Sequence, residues 1–265
     1  MPDLDLDLSR ELTVASEAAR AAGAIQMELY ERIEGIDYKG EKDVVTEADH
    51  RSEAAILDII GQAFPDDGFL AEESGESGQR SDRLWVIDPL DGTVNYANGI
   101  PFFSVSIGLV VDDEPVLGVV YDPTRDELFT GVRGGGAYLD GRRISNPVKE
   151  RLADAVVSLG LPSSGFGRQY REIRLHVRIS RAMGSATLSL TYLANGRFDA
   201  YMQWSKLSVW DICAAGVIAI EGGAVVTSAI GNHWFSLGMP SKSIGICAAP
   251  PRHHKTYLDL IRPDA

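Results

Sequence analysis

Two acidic residues, Asp88 and Asp91, lie three positions apart directly after an apolar segment at residues 85–87. Gly92 and Thr93 follow at once, so one short loop can direct carboxylate oxygens, a hydroxyl group and backbone N–H groups to the same point. Mg²⁺ prefers oxygen ligands, and a phosphate group is bound by cations and by backbone N–H donors. This loop therefore carries the groups needed for metal-assisted phosphate chemistry.

Further acidic residues lie where other predicted elements begin or end, namely Asp49, Glu72 and Asp211. Each of them alone is ordinarily a helix cap or a turn residue, and Asp211 is a good N-cap for the apolar helix that it precedes. That interpretation is weaker for Asp88 and Asp91, because the Pro and Leu between them are unusual in a solvated turn. No His or Cys accompanies these acids, which disfavours zinc.

Length and charge narrow the class of function. The chain has 265 residues, 45% of them hydrophobic, which is enough for one large core or two closely packed subdomains. The net charge of −13 argues against a broad basic surface for nucleic acid or anionic membranes. No apolar run is long enough to span a bilayer. The negative charge still permits a phosphorylated small molecule as the substrate if cations bind to the carboxylates.

The two cysteines, Cys213 and Cys247, lie in apolar segments and are predicted to be buried free thiols. The N-terminus has neither the basic start nor the apolar segment of a signal peptide. Both features predict a reducing, cytoplasmic location.

Hydrophobic periodicity predicts an α+β protein of two parts, residues 1–148 and 149–265. Helices at residues 9–33 and 47–64 open the first part, and consecutive strands with no helix between them then predict a largely antiparallel sheet. These predicted strands are residues 68–71, 84–87, 104–111, 116–121, 127–133 and 137–139. The stretch at residues 74–82 is interpreted as a loop.

In the second part, strands and helices alternate, which predicts a smaller α/β layer packed on the first sheet. The predicted strands are residues 155–159, 198–203, 224–227 and 243–248, and the predicted helices are residues 166–177, 185–195, 211–221 and 254–261.

Four segments occur in an order that resembles a known family. They are residues 43–49 (DVVTEAD), 71–74 (AEES), 85–96 (WVIDPLDGTVNY) and 209–216 (VWDICAAG). Together they closely resemble the inositol monophosphatase family, and the third segment is highly specific. The resemblance implies a layered α-β-α-β-α sandwich, Mg²⁺-dependent and lithium-sensitive hydrolysis of phosphate monoesters, and a homodimer.

The resemblance also implies roles for individual residues. One Mg²⁺ would be held by Glu72, Asp88 and the backbone carbonyl of Leu90. A second Mg²⁺ would be held by Asp88, Asp91 and Asp211, and a third, bound more weakly, would lie near Glu72. Asp49 and Thr93 would orient the attacking water, so that Asp49, Glu72 and Thr93 form the catalytic set. The N–H groups of Gly92 and Thr93 would hold the phosphate. Residues expected to contact the substrate are Asp91, Gly92, Thr93, Gly184, Ser185, Ala186, Gln203 and Asp211.

Electrostatics supports this assignment without the family. Two cations can hold the attacking and leaving oxygens of a phosphate ester together. Four carboxylates carry about −4 and two Mg²⁺ return about +4, so phosphate meets a neutralised site. Without metal, the same acids are expected to repel the substrate.

The substrate is left open among several candidates. Inositol monophosphate is the default, and histidinol phosphate, 3′-phosphoadenosine 5′-phosphate and fructose 1,6-bisphosphate are alternatives. Inositol-binding members of the family place a Glu seven residues before the last metal-binding Asp, where this chain has Trp204 with Gln203 beside it. For a nucleotide bisphosphate, Lys206, Arg178 and Arg181 are candidate contacts. A regulatory binding protein that keeps the fold is an alternative of another class.

Overall fold

The fold consists of five layers in the order α-β-α-β-α. The computed structural model describes residues 7–30, 37–40, 43–79, 81–160 and 167–261, with only the backbone described for residues 37–40 and 43–45. The predicted α+β sandwich, with a largely antiparallel first sheet and a smaller second sheet, is confirmed.

The helices of the described residues are α1 (Ser9–Leu29), α2 (Glu47–Ala63), α3 (Thr93–Ala97), α4 (Gly167–His176), α5 (Ala186–Thr191), α6 (Val209–Glu221) and α7 (Pro251–Ile261). The strands of the first part are β1 (Asp37–Gly40), β2 (Asp43–Val45), β3 (Gly68–Ala71), β4 (Gly75–Gly78), β5 (Arg83–Asp91), β6 (Ser104–Val111), β7 (Glu114–Asp122), β8 (Glu127–Val132), β9 (Gly136–Leu139) and β10 (Arg142–Ile144). Those of the second part are β11 (Val156–Leu159), β12 (Ile179–Arg181), β13 (Ala200–Leu207), β14 (Val225–Ser228) and β15 (Ile244–Ala249).

The larger sheet has the strand order β10-β9-β8-β7-β6-β5-β3-β4, and every neighbouring pair is antiparallel except β3 and β5. The smaller sheet has the order β12-β11-β13-β15-β14 and is mixed, because β11 is parallel to both of its neighbours. β1 and β2 form a separate antiparallel pair.

Helices α1 and α2 cover one face of the larger sheet, and α5 and α6 fill the space between the two sheets. Helices α4 and α7 pack together on the outer face of the smaller sheet. Helix α6 is apolar around most of its circumference, as expected for a helix between two sheets. At Gly118 of β7 a Cβ would lie 2.2 Å from the carbonyl oxygen of Ala214, so glycine permits the close approach of α6 to the sheet.

Several predicted boundaries differ from the structure. Helix α1 ends at Leu29, because Tyr30 is already extended, and not at residue 33; the predicted Gly35 stop lies outside the described residues. Residues 75–78, interpreted as loop, form the edge strand β4, whose backbone pairing needs no hydrophobic pattern. Helix α5 covers only residues 186–191 of the predicted 185–195, since turns follow it.

Both cysteines are buried and free, as predicted. Among the described residues, none of the helices has the length and apolar character needed to cross a bilayer. The division into parts at residue 148 stays a prediction.

Candidate active site

The end of β5 bends at a register shift between Asp88 and Asp91. Pro89 lies in this irregular segment, where a residue without an N–H group is tolerated because the ladder is already interrupted. Gly92 follows with a φ of 95°, and a Cβ there would lie 3.1 Å from the carbonyl oxygen of Phe102. Glycine is therefore needed for β5 to turn into α3, which begins at Thr93.

Two other carboxylates lie in the first turns of helices. Asp49 accepts a hydrogen bond of 2.7 Å from the backbone N–H of Thr46, and Asp211 accepts one of 2.7 Å from the N–H of Ser208. In both helices the Thr or Ser is the N-cap and the Asp is the third helical residue, which forms a capping box. The interpretation of Asp211 as an N-cap is therefore wrong: Ser208 caps α6, and the Asp211 side chain reaches back from the first turn.

The structure brings Asp88, Asp91 and Asp211 together, with one carboxylate oxygen of each residue within 4.8 Å of those of the other two. Burial raises the pKa of Asp88 well above its usual value, and the nearby charge of Glu72 raises it further. Burial, followed by the charge of Asp91, does the same for the pKa of Asp211. These acids are costly to keep ionised without a counter-charge.

Asp91 is held by the start of α5. The hydroxyl of Ser185 and the N–H of Thr187, at 2.9 Å, donate to one carboxylate oxygen, and the N–H of Ala186 donates to the other at 3.3 Å. Burial nevertheless raises the pKa of Asp91 to about 6. Asp91, at the end of β5, is thus oriented by a helix that lies far later in the chain.

Thr93 and Asp49 are also in contact. The Thr93 hydroxyl lies 3.2 Å from a carboxylate oxygen of Asp49 and 3.0 Å from the carbonyl oxygen of Leu90. Burial raises the pKa of Asp49 to about 6, against the hydrogen bonds from Thr46. The predicted catalytic pair therefore lies next to the carbonyl predicted to bind metal.

A cavity of about 280 Å³ opens onto Asp91 and Asp211, whereas Asp88 is buried outside its lining. All of the predicted substrate contacts line it: Asp91, Gly92, Thr93, Gly184, Ser185, Ala186, Gln203 and Asp211. Glu72 lines it too. Of the basic candidates, Lys206 lines the cavity, whereas Arg178 pairs with Asp154 at 2.8 Å and is not in the lining. Sequence reasoning missed Lys242, because nothing in its local sequence places it near Ser208.

The donor set fits a hard divalent cation. The buried groups are carboxylates, with the Leu90 carbonyl close by, and magnesium takes such oxygen ligands. Burial, and after it the charges of neighbouring acids, raises the pKa of Asp88 and of Asp211, and a bound cation would favour the ionised form of both.

Comparison with known proteins agrees with this geometry. Residues 7–263 match the model of the inositol monophosphatase family. The chain belongs to the inositol monophosphatase family. One relative, the Nus factor SuhB of Pasteurella multocida, is 39% identical over 261 residues, which cover 95% of this chain and 96% of the relative.

Two further members of the family are similar in sequence or structure. The fructose-1,6-bisphosphatase/inositol-1-monophosphatase of Aquifex aeolicus is 41% identical over 233 residues, which cover 83% of this chain and 86% of that protein. The crystal structure of the extragenic suppressor protein suhB from Bartonella henselae superposes with a TM-score of 0.90, at 33% identity, covering 97% of this chain and 100% of that one. The inositol monophosphatase fold read from the four motifs is thereby confirmed.

Proposed function

We propose that this protein hydrolyses a small phosphate monoester with Mg²⁺, and that inositol monophosphate is the default substrate. One observation supports this most strongly: Asp88, Asp91 and Asp211 each have a carboxylate oxygen within 4.8 Å of the others, and Asp91 and Asp211 line a cavity of about 280 Å³ together with Thr93. Family membership and a relative named for phosphatase activity agree with it.

The proposed metal site consists of Glu72, Asp88, Asp91, Asp211 and the carbonyl of Leu90, for two to three Mg²⁺. When bound, Mg²⁺ supplies positive charge that stabilises the phosphate in the transition state. The carboxylates of the chain hold that charge at a fixed place, since capping and the α5 contacts fix Asp91 and Asp211 before substrate arrives.

The proposed role of Thr93 and Asp49 is to orient the attacking water. The Thr93 hydroxyl can donate to Asp49, 3.2 Å away, which leaves its oxygen free to accept a hydrogen bond from water. With a pKa of about 6, Asp49 is mostly ionised at neutral pH and can hold this hydrogen bond. The N–H groups of Gly92 and Thr93 are proposed to hold phosphate oxygens.

The leaving group is proposed to contact Gly184, Ser185, Ala186 and Gln203. Histidinol phosphate, 3′-phosphoadenosine 5′-phosphate and fructose 1,6-bisphosphate remain alternative substrates of the same site. Lithium sensitivity, a homodimer and a cytoplasmic location complete the proposal.

The test is a panel of these phosphate monoesters, assayed with Mg²⁺ and ranked by kcat/KM. Phosphate release that needs Mg²⁺ and stops in Asp88→Asn supports the proposal. No release from any substrate by the folded, Mg²⁺-supplied protein would refute it.

A second candidate function is a regulatory binding role through a macromolecular partner, because a relative at 39% identity is named a Nus factor. Asp88→Asn separates the two proposals. Loss of a cellular phenotype in this folded variant assigns the phenotype to catalysis, whereas full retention assigns it to binding.

A further inference from the structure

Two lysines, Lys206 and Lys242, line the same cavity as the carboxylate cluster. Among the described residues of this lining they are the basic ones, and Glu72, Asp91 and Asp211 are the acidic ones. Both lysines are exposed, whereas Asp91 is buried and Glu72 and Asp211 are half-buried, so the cations lie nearer the rim of the cavity than the acids.

Both lysines have left-handed backbone conformations, with φ of 75° at Lys206 and 57° at Lys242. Residues other than glycine rarely adopt this region, and where they do the surrounding structure must enforce it. At Lys206 the cause is a register shift between β13 and β15, from Gln203 to Leu207. Such irregularities redirect side chains in strands.

Gln203 holds this irregular segment. Its amide nitrogen donates to the carbonyl oxygen of Ser205 at 2.9 Å, and its amide oxygen accepts from the hydroxyl of Tyr201 at 2.7 Å. Both ends of the Gln203 side chain are thus engaged within the protein. Gln203 shapes the backbone that presents Lys206 to the cavity.

Ser208 links the two lysines to the acids. Its hydroxyl accepts a hydrogen bond of 3.1 Å from the backbone N–H of Lys242 and lies 2.8 Å from the hydroxyl of Ser241. Ser208 is also the N-cap of α6, whose first turn carries Asp211. Lys206 precedes this cap by two residues, so both lysines have fixed positions relative to Asp211.

We propose that Lys206 and Lys242 form a second anion subsite that determines specificity. The preferred substrates are small phosphate monoesters with a second anionic group, a phosphate or a carboxylate, held at the rim while the scissile phosphate lies at the acids. This inference rests on the proposed phosphatase function and narrows its substrate class. Lys is suited to the task because its ammonium group acts as a compact point charge on a flexible stem.

The experiment compares two pairs of substrates that differ in the distal group. The pair fructose 1,6-bisphosphate and fructose 1-phosphate tests the effect of a second phosphate group. The pair 3-phosphoglycerate and glycerol 3-phosphate tests the effect of a carboxylate. The readout is the ratio of kcat/KM within each pair. We expect the wild type to prefer the doubly anionic member, and the preferred pair identifies the second group.

The test variant is Lys206→Asn/Lys242→Asn, since Asn removes the charge and tolerates positive φ. The ratio for the preferred pair is expected to fall by about fivefold or more, through KM, because two partly exposed ion pairs each contribute modestly. The ratio of kcat/KM in this variant should also depend less on salt concentration than the ratio in the wild type. Lys206→Arg/Lys242→Arg should retain the ratio, and Lys255→Gln, on the exposed face of α7, is the charge control.

The subsite proposal would be overturned if the wild type had equal kcat/KM within both pairs, or if the double Asn variant did not change the ratio. In either case, release of phosphate would leave the phosphatase proposal intact. Absence of release from all four substrates and from inositol monophosphate would instead overturn both. Thermal unfolding of each variant shows that the comparison is made on folded protein.

Discussion

The backbone N–H of Thr187 donates a hydrogen bond of 2.9 Å to the carboxylate of Asp91, a residue 96 positions earlier in the chain. The hydroxyl of Ser185 donates to the same oxygen. The first turn of α5 therefore fixes the direction of a carboxylate that β5 delivers. Two distant segments must dock before the acidic cluster has its shape.

Ser185→Ala removes the side-chain donor of this contact while leaving the Thr187 bond. We expect the Mg²⁺ concentration for half-maximal activity to rise by about tenfold, since groups that orient metal ligands typically matter to this extent. Steady-state assays across a Mg²⁺ series measure it. Ser16→Ala, which removes a hydroxyl bonded to Leu12 within α1, is the control. An unchanged Mg²⁺ requirement would contradict a positioning role for Ser185.

Asp88→Asn should abolish turnover and raise the melting temperature of the metal-free protein. The substitution removes a buried charge whose pKa is raised by burial and by Glu72, so repulsion in the folded state decreases. Thermal unfolding in EDTA and a phosphatase assay measure the two effects.

Asp67→Asn is the control, because it should lower the melting temperature that Asp88→Asn is expected to raise. Asp67 is buried and accepts hydrogen bonds from Arg83 at 3.0 Å and from the indole N–H of Trp85 at 2.9 Å. Its replacement should cost about 1–3 kcal/mol of stability with activity retained. If Asp88→Asn also lowered the melting temperature in EDTA, the acidic cluster would not be a source of strain.

Stability should depend on pH differently with and without Mg²⁺. In the metal-free fold, the pKa values of Asp49 and Asp91 are about 6, above the ordinary 3.8. The folded state binds more protons than the unfolded state between these values, so stability falls as pH rises from about 4 through about 6. For one such carboxyl the full loss is about 3 kcal/mol.

Mg²⁺ bound to the folded state offsets this loss at neutral pH. The difference in melting temperature between Mg²⁺ and EDTA should therefore grow from pH 5 to pH 7. In Asp91→Asn this growth should be smaller. If the melting temperatures in Mg²⁺ and in EDTA differed by the same amount at every pH from 5 to 7, the cluster would not be the site that binds the cation.

Thr93→Ala should lower kcat by about 10²-fold or more with a smaller effect on KM, because the proposed role of the hydroxyl that contacts Asp49 is to orient the attacking water. Thr93→Ser keeps the hydroxyl and should retain most of the rate. Steady-state kinetics at saturating Mg²⁺ separates the two parameters. A change confined to KM would assign Thr93 to binding alone.

Gln203→Glu should improve kcat/KM for inositol monophosphate relative to the other substrates. The amide that donates to the carbonyl of Ser205 becomes a carboxylate, which is repelled from that oxygen and is free to accept hydroxyl groups in the cavity. The substrate panel measures the ranking, with Gln203→Met as the uncharged control. An unchanged ranking would mean that this end of β13 does not select the leaving group.

Hydrophobic periodicity predicted most of the helices and strands, whereas the order of the five layers was implied by the resemblance to the family. Helix α2 and strands β3 and β6 agree with the predicted ranges within a residue, because turn residues bound each of them and α2 has a clear 3.6-residue pattern. Strand β4 was missed because an edge strand of Gly, Glu and Ser has no such pattern and is held by backbone hydrogen bonds to β3. Helix α3 was missed because its five residues are too few to show a period.

The motif residues were predicted by type and spacing, but not their roles in the backbone. Ser208, and not Asp211, caps α6, and that distinction depends on where the helix begins. The short loop from Asp88 to Thr93 encodes its own bend through Pro89 and Gly92, so local sequence was sufficient there.

By itself, the sequence determined which side chains are available for chemistry and that most of the chain forms a largely antiparallel sheet and a smaller α/β layer, since both follow from local patterns. The order of the five layers followed from the resemblance of the four motifs to the family. Only the tertiary structure decided that three carboxylates from β5 and α6 meet within 4.8 Å, that α5 orients Asp91, and that Lys242 joins Lys206 at the cavity rim. These contacts join segments far apart along the chain, and packing of the helices between the sheets, which no local pattern encodes, sets their distances.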